Sequence, residues 1–186
     1  MQAARGTSLS DIENPSGTRR SPRRWTLFAV IAAVLYAIDQ LSKWQAEKHL
    51  DGRADVSVVG DLLQLRLVYN PGAAFSLGTS YTVVLSCVAI AAAVAVVWFS
   101  RRLGSTVWAV ALGFLMAGVC GNLTDRLLRD PGPLRGHVVD FLMLPNWPIF
   151  NVADICINVA AGLILVQAFR GVRLDGTRTS DEDTEA

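Results

Sequence analysis

The sequence predicts an all-α polytopic membrane fold: four transmembrane helices, with a small extracytoplasmic β-sheet in the first outer loop. Three observations predict it. The 186 residues are 52% hydrophobic and only 18% charged, which is more apolar surface than one compact core needs. Four apolar stretches, at about 25–44, 81–99, 103–123 and 150–169, each approach the ~20 residues an α-helix needs to cross a ~30 Å hydrocarbon layer. Between the first two lies a segment alternating apolar and polar residues, the period of a half-buried strand.

Residues 1–24 hold Arg5, Arg19, Arg20, Arg23 and Arg24 among Ser, Gly and Pro, a composition that predicts a disordered basic tail. Trp25 and Trp44 bracket the first span like interfacial anchors, 19 residues or roughly 28 Å apart on a helix. The Gln-Leu-Ser-Lys run after Asp39 is a poor small-residue cleavage site, so this span is expected to stay uncleaved. In the loop that follows, Asp55–Val59 and Leu63–Val68 alternate around Gly60-Asp61, predicting two short strands and a turn. They lead into Asn70-Pro71-Gly72-Ala73-Ala74, whose small side chains allow close backbone approach to a ligand. An extended peptide could pair with such a strand edge; equally, the strands could only cap the helices.

The second span carries no charged or amide residue. The third contains Gly113, Gly118 and Gly121, loosely spaced and without a Gly-x-x-x-Gly motif. In the link that follows, Pro131, Gly132 and Pro133 predict a solvent-facing turn over 127–135 with Asp130 as a surface charge. After the fourth span, residues 171–186 end in Asp181, Glu182, Asp183 and Glu185, an acidic tail. One membrane domain, 25–170, is therefore expected between two tails.

A formal net charge of +1 gives no case for nucleic-acid binding. Arg19, Arg20, Arg23 and Arg24 precede the first span, and Arg101 and Arg102 fill the turn between the second and third. The positive-inside rule then places both termini and that turn in the cytoplasm and the connections 45–80 and 124–149 outside.

Five carboxylates gather toward the outer ends of the spans: Asp39, Asp125, Asp140, Asp154 and the outlying Asp130. Asp39 and Asp154 lie inside apolar spans, where an ionisable group is costly and by default marks function. Asp39 falls five residues before Trp44 and Asp154 four after Phe150, placing them roughly 7 and 6 Å below the outer boundary. Asn151, Asp154 and Asn158 are spaced to share one helical face, as are Asn122 and Asp125, with Arg126 beside them. Such faces turn toward protein or a water-filled cavity. Hydrogen bonding between helices would explain Asn122 or Asn158 alone, but not several carboxylates with few cations nearby. Two carboxylates in close contact share a proton, so one can activate water while the other protonates a carbonyl oxygen.

Other hydrolytic chemistries find little support. His49 and His137 are the only histidines and His-Glu-x-x-His is absent, which argues against a zinc peptidase; no cofactor or metal is expected. No Gly-x-Ser-x-Gly occurs, and Ser42, Ser76 and Ser86 lack a plausible base. Cys87, Cys120 and Cys156 all fall in spans and read as small core hydrophobes.

Five strings occur in order: Asp39-Gln40-Leu41-Ser42-Lys43, Tyr69-Asn70-Pro71-Gly72-Ala73-Ala74-Phe75-Ser76, Gly121-Asn122-Leu123-Thr124-Asp125-Arg126, Gly136-His137-Val138-Val139-Asp140-Phe141 and Phe150-Asn151-Val152-Ala153-Asp154. Together, over about 25–170, they closely resemble the lipoprotein signal peptidase, or signal peptidase II, family. The resemblance implies an aspartic endopeptidase of the bacterial inner membrane that removes the signal peptide of a prolipoprotein before a diacylglyceryl-modified cysteine. Its implied partners are lipidated signal peptides and membrane lipid, and a monomer is expected. Carried over by motif, Asp140 and Asp154 would be the catalytic dyad. Asn70, Asn122, Asp125, Arg126 and Asn151 would line the site and hold substrate backbone or dyad geometry, with Asp39 a further polar position near it. Lys43, four residues on, can pair with Asp39, which favours a supporting role for that carboxylate. Asp125 rivals Asp140 as a catalytic group, but the neighbouring Arg126 suggests a permanently ion-paired side chain. The link 127–135 is longer than the family's usual one.

The alternative is a small proton-coupled transporter or channel subunit using the same carboxylates as a relay. A relay needs polar groups through the whole thickness of the bundle, whereas here the second span and the inner halves of the first and fourth are apolar.

Overall fold

The structure, a computed structural model, describes residues 22–72 and 81–178. Arg5, Arg19 and Arg20 of the basic tail, the Ala73–Ser76 part of the second motif, and the acidic residues from Asp181 to Glu185 lie outside the described residues. The element order is α1 (Pro22–Leu50), β1 (Val56–Val59), β2 (Leu63–Asn70), α2 (Thr82–Ser100), α3 (Thr106–Leu128), β3 (Val138–Met143) and α4 (Val152–Phe169). All four helices are long and apolar enough to cross a membrane.

α1 runs past both of its predicted limits. Its 29 residues amount to roughly 43 Å, more than a hydrocarbon layer requires. The surplus beyond Trp44 has a purpose: Ala46 and Leu50 pack on Val139 and Phe141, joining the helix to the sheet. α3 also overruns its expected limit, and Asp125 and Arg126 sit in its last turn, in line with the shared helical face of Asn122 and Asp125.

α3 is the centre of the bundle, packed against α1, α2 and α4. Its glycines explain how. A Cβ on Gly113 would lie 2.9 Å from the Ile31 side chain of α1, and one on Gly118 would lie 2.5 Å from the Ala153 carbonyl oxygen of α4. At Gly121 a Cβ would meet both neighbours, 2.5 Å from Asp39 Oδ2 and 3.1 Å from Ala153 Cβ. The spacing misses a single-face motif because the helix serves two partners on different faces.

The sheet holds the predicted strands β1 and β2 and a third, β3, in the order β1-β2-β3, antiparallel throughout. β3 comes from the connection between the third and fourth spans, where only a loop was expected. Val138 to Phe141 are buried on both faces, so the strand reads as a continuous apolar run broken by Asp140, without alternation. Its entry is pinned to the end of α3, where the Gly136 N–H donates to the Arg126 carbonyl at 3.0 Å. A side chain at Gly136 would run into the Asp125 carbonyl oxygen.

The chain then turns back, and Phe150 bridges to Leu142 with N–H to carbonyl distances of 3.0 and 2.8 Å. That return sets Asp140 beside the start of α4. At the opposite end of the bundle, residues 171–178 fold back on the α2–α3 turn: Gly104 N–H donates to Leu174 and Trp108 Nε1 to Val172, at 2.8 and 2.9 Å.

Candidate active site

Asp140 lies on β3 opposite Val68, and Asn70 lies diagonally across on β2, opposite Val138. Diagonal neighbours on one face of an antiparallel pair are within reach of each other. Asn70 Nδ2 donates to Asp140 Oδ2 at 2.9 Å, while its Oδ1 accepts the Gly72 N–H at 3.0 Å in a local turn that fixes the amide's orientation.

The other carboxylate belongs to the first turn of α4. Asn151 is not on the helical face predicted for it but is the N-cap. Its Oδ1 accepts from Asp154 N at 3.0 Å, and Asp154 Oδ2 accepts from Asn151 N at 3.1 Å, a reciprocal capping box. Because Asn151 is occupied as a cap, its Nδ2 is aimed away from the helix and donates to Asp140 Oδ1 at 2.7 Å. Asn122, on α3, donates from Nδ2 to Asp154 Oδ1 at 2.9 Å. Asn158, by contrast, is exposed and bonds only to the Asp154 carbonyl. Each of Asp140 and Asp154 thus accepts from neutral N–H donors, and neither is in a salt bridge among the described residues. Burial, followed by the charge of Asp154, pushes the Asp140 carboxyl up to about 6, against the opposing effect of its Asn70 and Asn151 hydrogen bonds.

The second pair of carboxylates is closed off. Lys43 Nζ lies 2.9 Å from Asp39 Oδ2 and 2.7 Å from Asp125 Oδ2, with all three side chains at most 1% exposed. Arg129 Nε reaches Asp125 Oδ1 at 2.7 Å, and its Nη1 pairs with Glu47. Asp39 Oδ1 accepts the Ala153 N–H at 2.8 Å, tying α1 to the first turn of α4. The expected pairing of Asp39 with Lys43 is present. The cations on Asp125, however, are Lys43 and Arg129, not Arg126: successive helical residues point about 100° apart, whereas i and i+4 share a face. Lys43 and Arg129 were missed as site residues, although the i,i+4 spacing of Asp125 and Arg129 was a usable signal.

A cleft of about 1180 Å³ opens over this assembly, lined by Asn70, Asn122, Arg126, Asp140 and Asp154 with Trp147 and Ile149 at its rim. Asp39, Asp125 and Asn151 lie behind that wall, fully buried. Arg126 is 9% exposed, and its Nη1 finds no hydrogen-bond partner among the described residues. Among those residues, no group of three or more His, Cys, Asp or Glu is arranged to hold a metal ion.

Residues 31–170 match the family model described as signal peptidase (SPase) II. The chain belongs to the signal peptidase II family. A protein named lipoprotein signal peptidase from Leifsonia xyli subsp. xyli is 44% identical over 170 residues, covering 91% of this chain and 79% of that protein. One of the same name from Mycobacterium avium is 45% identical over 167 residues, covering 88% and 92%. A solved structure described as a bacterial membrane enzyme superposes with a TM-score of 0.69 at 26% identity, covering 76% of this chain and 87% of that one. As a signal peptidase II family member the chain is a multi-pass bacterial membrane peptidase, and the described residues of the five motifs singled out in the sequence lie inside or at the edges of the assembly just described.

Proposed function

We propose that this chain is an intramembrane aspartic endopeptidase that removes the signal peptide from prolipoproteins before the diacylglyceryl-modified cysteine. The observation that carries the reading is the contrast in carboxylate surroundings. Asp140 and Asp154 face one cleft and, among the described residues, accept from amide and backbone donors alone, the setting in which two carboxylates share a proton.

In this reading Asp140 holds the shared proton, consistent with its raised proton affinity, and delivers it to the scissile carbonyl oxygen. Asp154 sits in the first turn of α4, where the helix dipole favours negative charge, and takes a proton from the attacking water. The water oxygen bonds to the carbonyl carbon; on collapse of the tetrahedral species the C–N bond breaks, the amine takes the proton gained by Asp154, and one hydroxyl returns its proton to Asp140 as the carbonyl re-forms. The free Nη1 of Arg126 would donate to a substrate carbonyl, and Asn70 and Asn122 would bond substrate backbone along the cleft wall. Asp39, Asp125 and Asn151 would act from behind, on dyad geometry.

The expected setting is the bacterial inner membrane, with both termini cytoplasmic and the cleft near the outer leaflet. At that depth an unlipidated peptide would bury polar backbone at a cost of several kcal/mol per unsatisfied group. Acyl chains instead enter the hydrocarbon layer, each buried CH₂ contributing roughly 0.8 kcal/mol, and bring the peptide bond to the dyad. The test is incubation of purified protein with a lipidated precursor and an unlipidated control. Removing the diacylglyceryl group should lower kcat/KM far more than conservative changes in the signal helix do. Equal cleavage of the two precursors would point to a general signal peptidase instead.

A further inference from the structure

Lys43 is fully buried, on the face of α1 that also carries Asp39 and Glu47, and takes no part in the chemistry described above. An ammonium has three donors and no acceptor. All three find partners: Asp39 Oδ2 at 2.9 Å, Asp125 Oδ2 at 2.7 Å and Asn122 Oδ1 at 3.0 Å. The third contact is the informative one. An amide against an ammonium must present its oxygen, so Asn122 is left with its Nδ2 toward Asp154 Oδ1 at 2.9 Å. Asn122 Oδ1 also accepts from Asn151 Nδ2 at 3.1 Å, and the same Nδ2 donates to Asp140 Oδ1 at 2.7 Å. Flipping Asn122 would set its NH₂ against the ammonium and its oxygen against a carboxylate, two repulsions at once.

We propose that Lys43 is a positioning residue for the reaction: through Asn122 it fixes the donor–acceptor polarity of the Asn122–Asn151 amide pair, and so holds N–H groups on both Asp154 and Asp140. The proposal rests on the reading of those two aspartates as the dyad. An ion-pair staple between α1 and α3 would need only the two carboxylate contacts; the bond to Asn122 and its onward connections belong to the cleft. The charged or titratable groups around this network are Asp39 and Glu47 on α1, Asp125 and Arg126 on α3 with Arg129 at its C-cap, Tyr69 on β2, Asp140 on β3, and Asp154 and Cys156 on α4. Of the cations, Lys43 and Arg129 are held in salt bridges with Asp39, Asp125 and Glu47, and Lys43 alone of these two also bonds an amide that touches the dyad. Its charge lowers the proton affinity of Asp140, so removing it should displace the active form of the dyad toward higher pH.

The test uses the full chain in detergent cleaving a lipidated precursor, with rates expressed per folded molecule. Lys43→Met should lower kcat by roughly 10- to 100-fold, the size of effect seen when a supporting hydrogen-bond partner behind a site is removed. KM should stay within about threefold, and the pH profile of kcat/KM should move upward. Lys43→Met exposes two buried carboxylates to mutual repulsion, so Lys43→Gln/Asp39→Asn, which removes one charge of each sign, provides a second variant with the same expected loss. Asn122→Ala combined with Lys43→Met should cost no more than the worse single change, because both break one chain of bonds. Unchanged kcat per folded molecule, an unmoved pH profile, or additive penalties would each reduce Lys43 to a helix staple and overturn the proposal. Failure of the dyad reading itself would look different: Asp140→Asn would then turn over whatever Lys43 variants did.

Discussion

Asp39 and Asp125 share a lysine; Asp140 and Asp154, a few bonds away in the same assembly, share only amides. The four side chains are chemically identical and lie within one connected network. What separates them is the partner supplied by the backbone around them. The α1–α3 contact, made close by Gly121, brings Lys43 to both rear carboxylates, Arg129 reaches Asp125 from the end of the same helix, and the pair is sealed from the cleft. The sheet and the α4 cap bring neutral donors to the front pair and leave it facing open space. A carboxylate pinned by Lys43 and Arg129 is suited to holding helices together, and one held by Asn70 or Asn151 remains free to exchange a proton.

The largest expected effect tests the front pair. Asp140→Asn and Asp154→Asn should each lower turnover at least about 10³-fold while the protein stays folded and inserted, because an amide cannot shuttle the proton. The double substitution should be little worse than either single one, since the pair acts as a unit. Single-turnover cleavage of a lipidated precursor measures this; substantial turnover by Asp140→Asn would break the distinction between the two pairs.

Asp125→Asn tests the rear pair and should do the reverse. Removing one member of a buried ion pair costs about 3–5 kcal/mol. Here Lys43 retains Asp39 and Arg129 retains Glu47, so the lower end applies. Denaturant unfolding in detergent should show that loss, with turnover per folded molecule within tenfold of the parent. A dead but fully stable Asp125→Asn protein would move Asp125 into the chemistry.

A subtler difference is visible in pH. Asp140 binds its proton more tightly in the folded protein, near 6, than the ordinary 3.8 of an unfolded chain. The folded state therefore holds more protons between those values, and this contribution to stability, complete below 3.8, is lost as pH rises through about 6. Tm measured from pH 4 to 7 should carry a descending component that disappears in Asp140→Asn.

Most of this contrast was legible in the sequence, and the part that was not has identifiable causes. Four spans, the strands around Gly60-Asp61, and the gathering of Asp39, Asp125, Asp140 and Asp154 follow from hydropathy, period and depth. The Asp39–Lys43 pair follows from i,i+4 spacing. β3 was hidden because burial on both faces erases the alternation that marks a strand. Asn151 has the spacing of a helical residue, but Asn-x-x-Asp before an apolar run is also a cap signal, and the cap prevails. The reach of Lys43 to Asp125 and Asn122 joins two helices far apart in the chain, and no local pattern encodes it.

The smallest expected effect is the control for all of these. Arg66 on β2 and Asp55 form another ion pair, with Nε to Oδ1 at 2.7 Å and a second contact between Nη2 and Oδ2. By geometry alone it looks as good as Lys43 with Asp125. Its side chains are 50% and 31% exposed, however, so water and salt screen the attraction and the free side chains lose little by separating. Arg66 also lies outside the cleft wall and lines a smaller hollow with Gln64 and Trp147. Arg66→Ala should therefore leave turnover unchanged and shift Tm by no more than the error of the measurement, at low salt as well as high. A loss approaching that of Asp125→Asn would mean that contact geometry, rather than burial and the number of partners, sets what an ion pair contributes in this fold. The division between the rear and front carboxylates would then need a different cause.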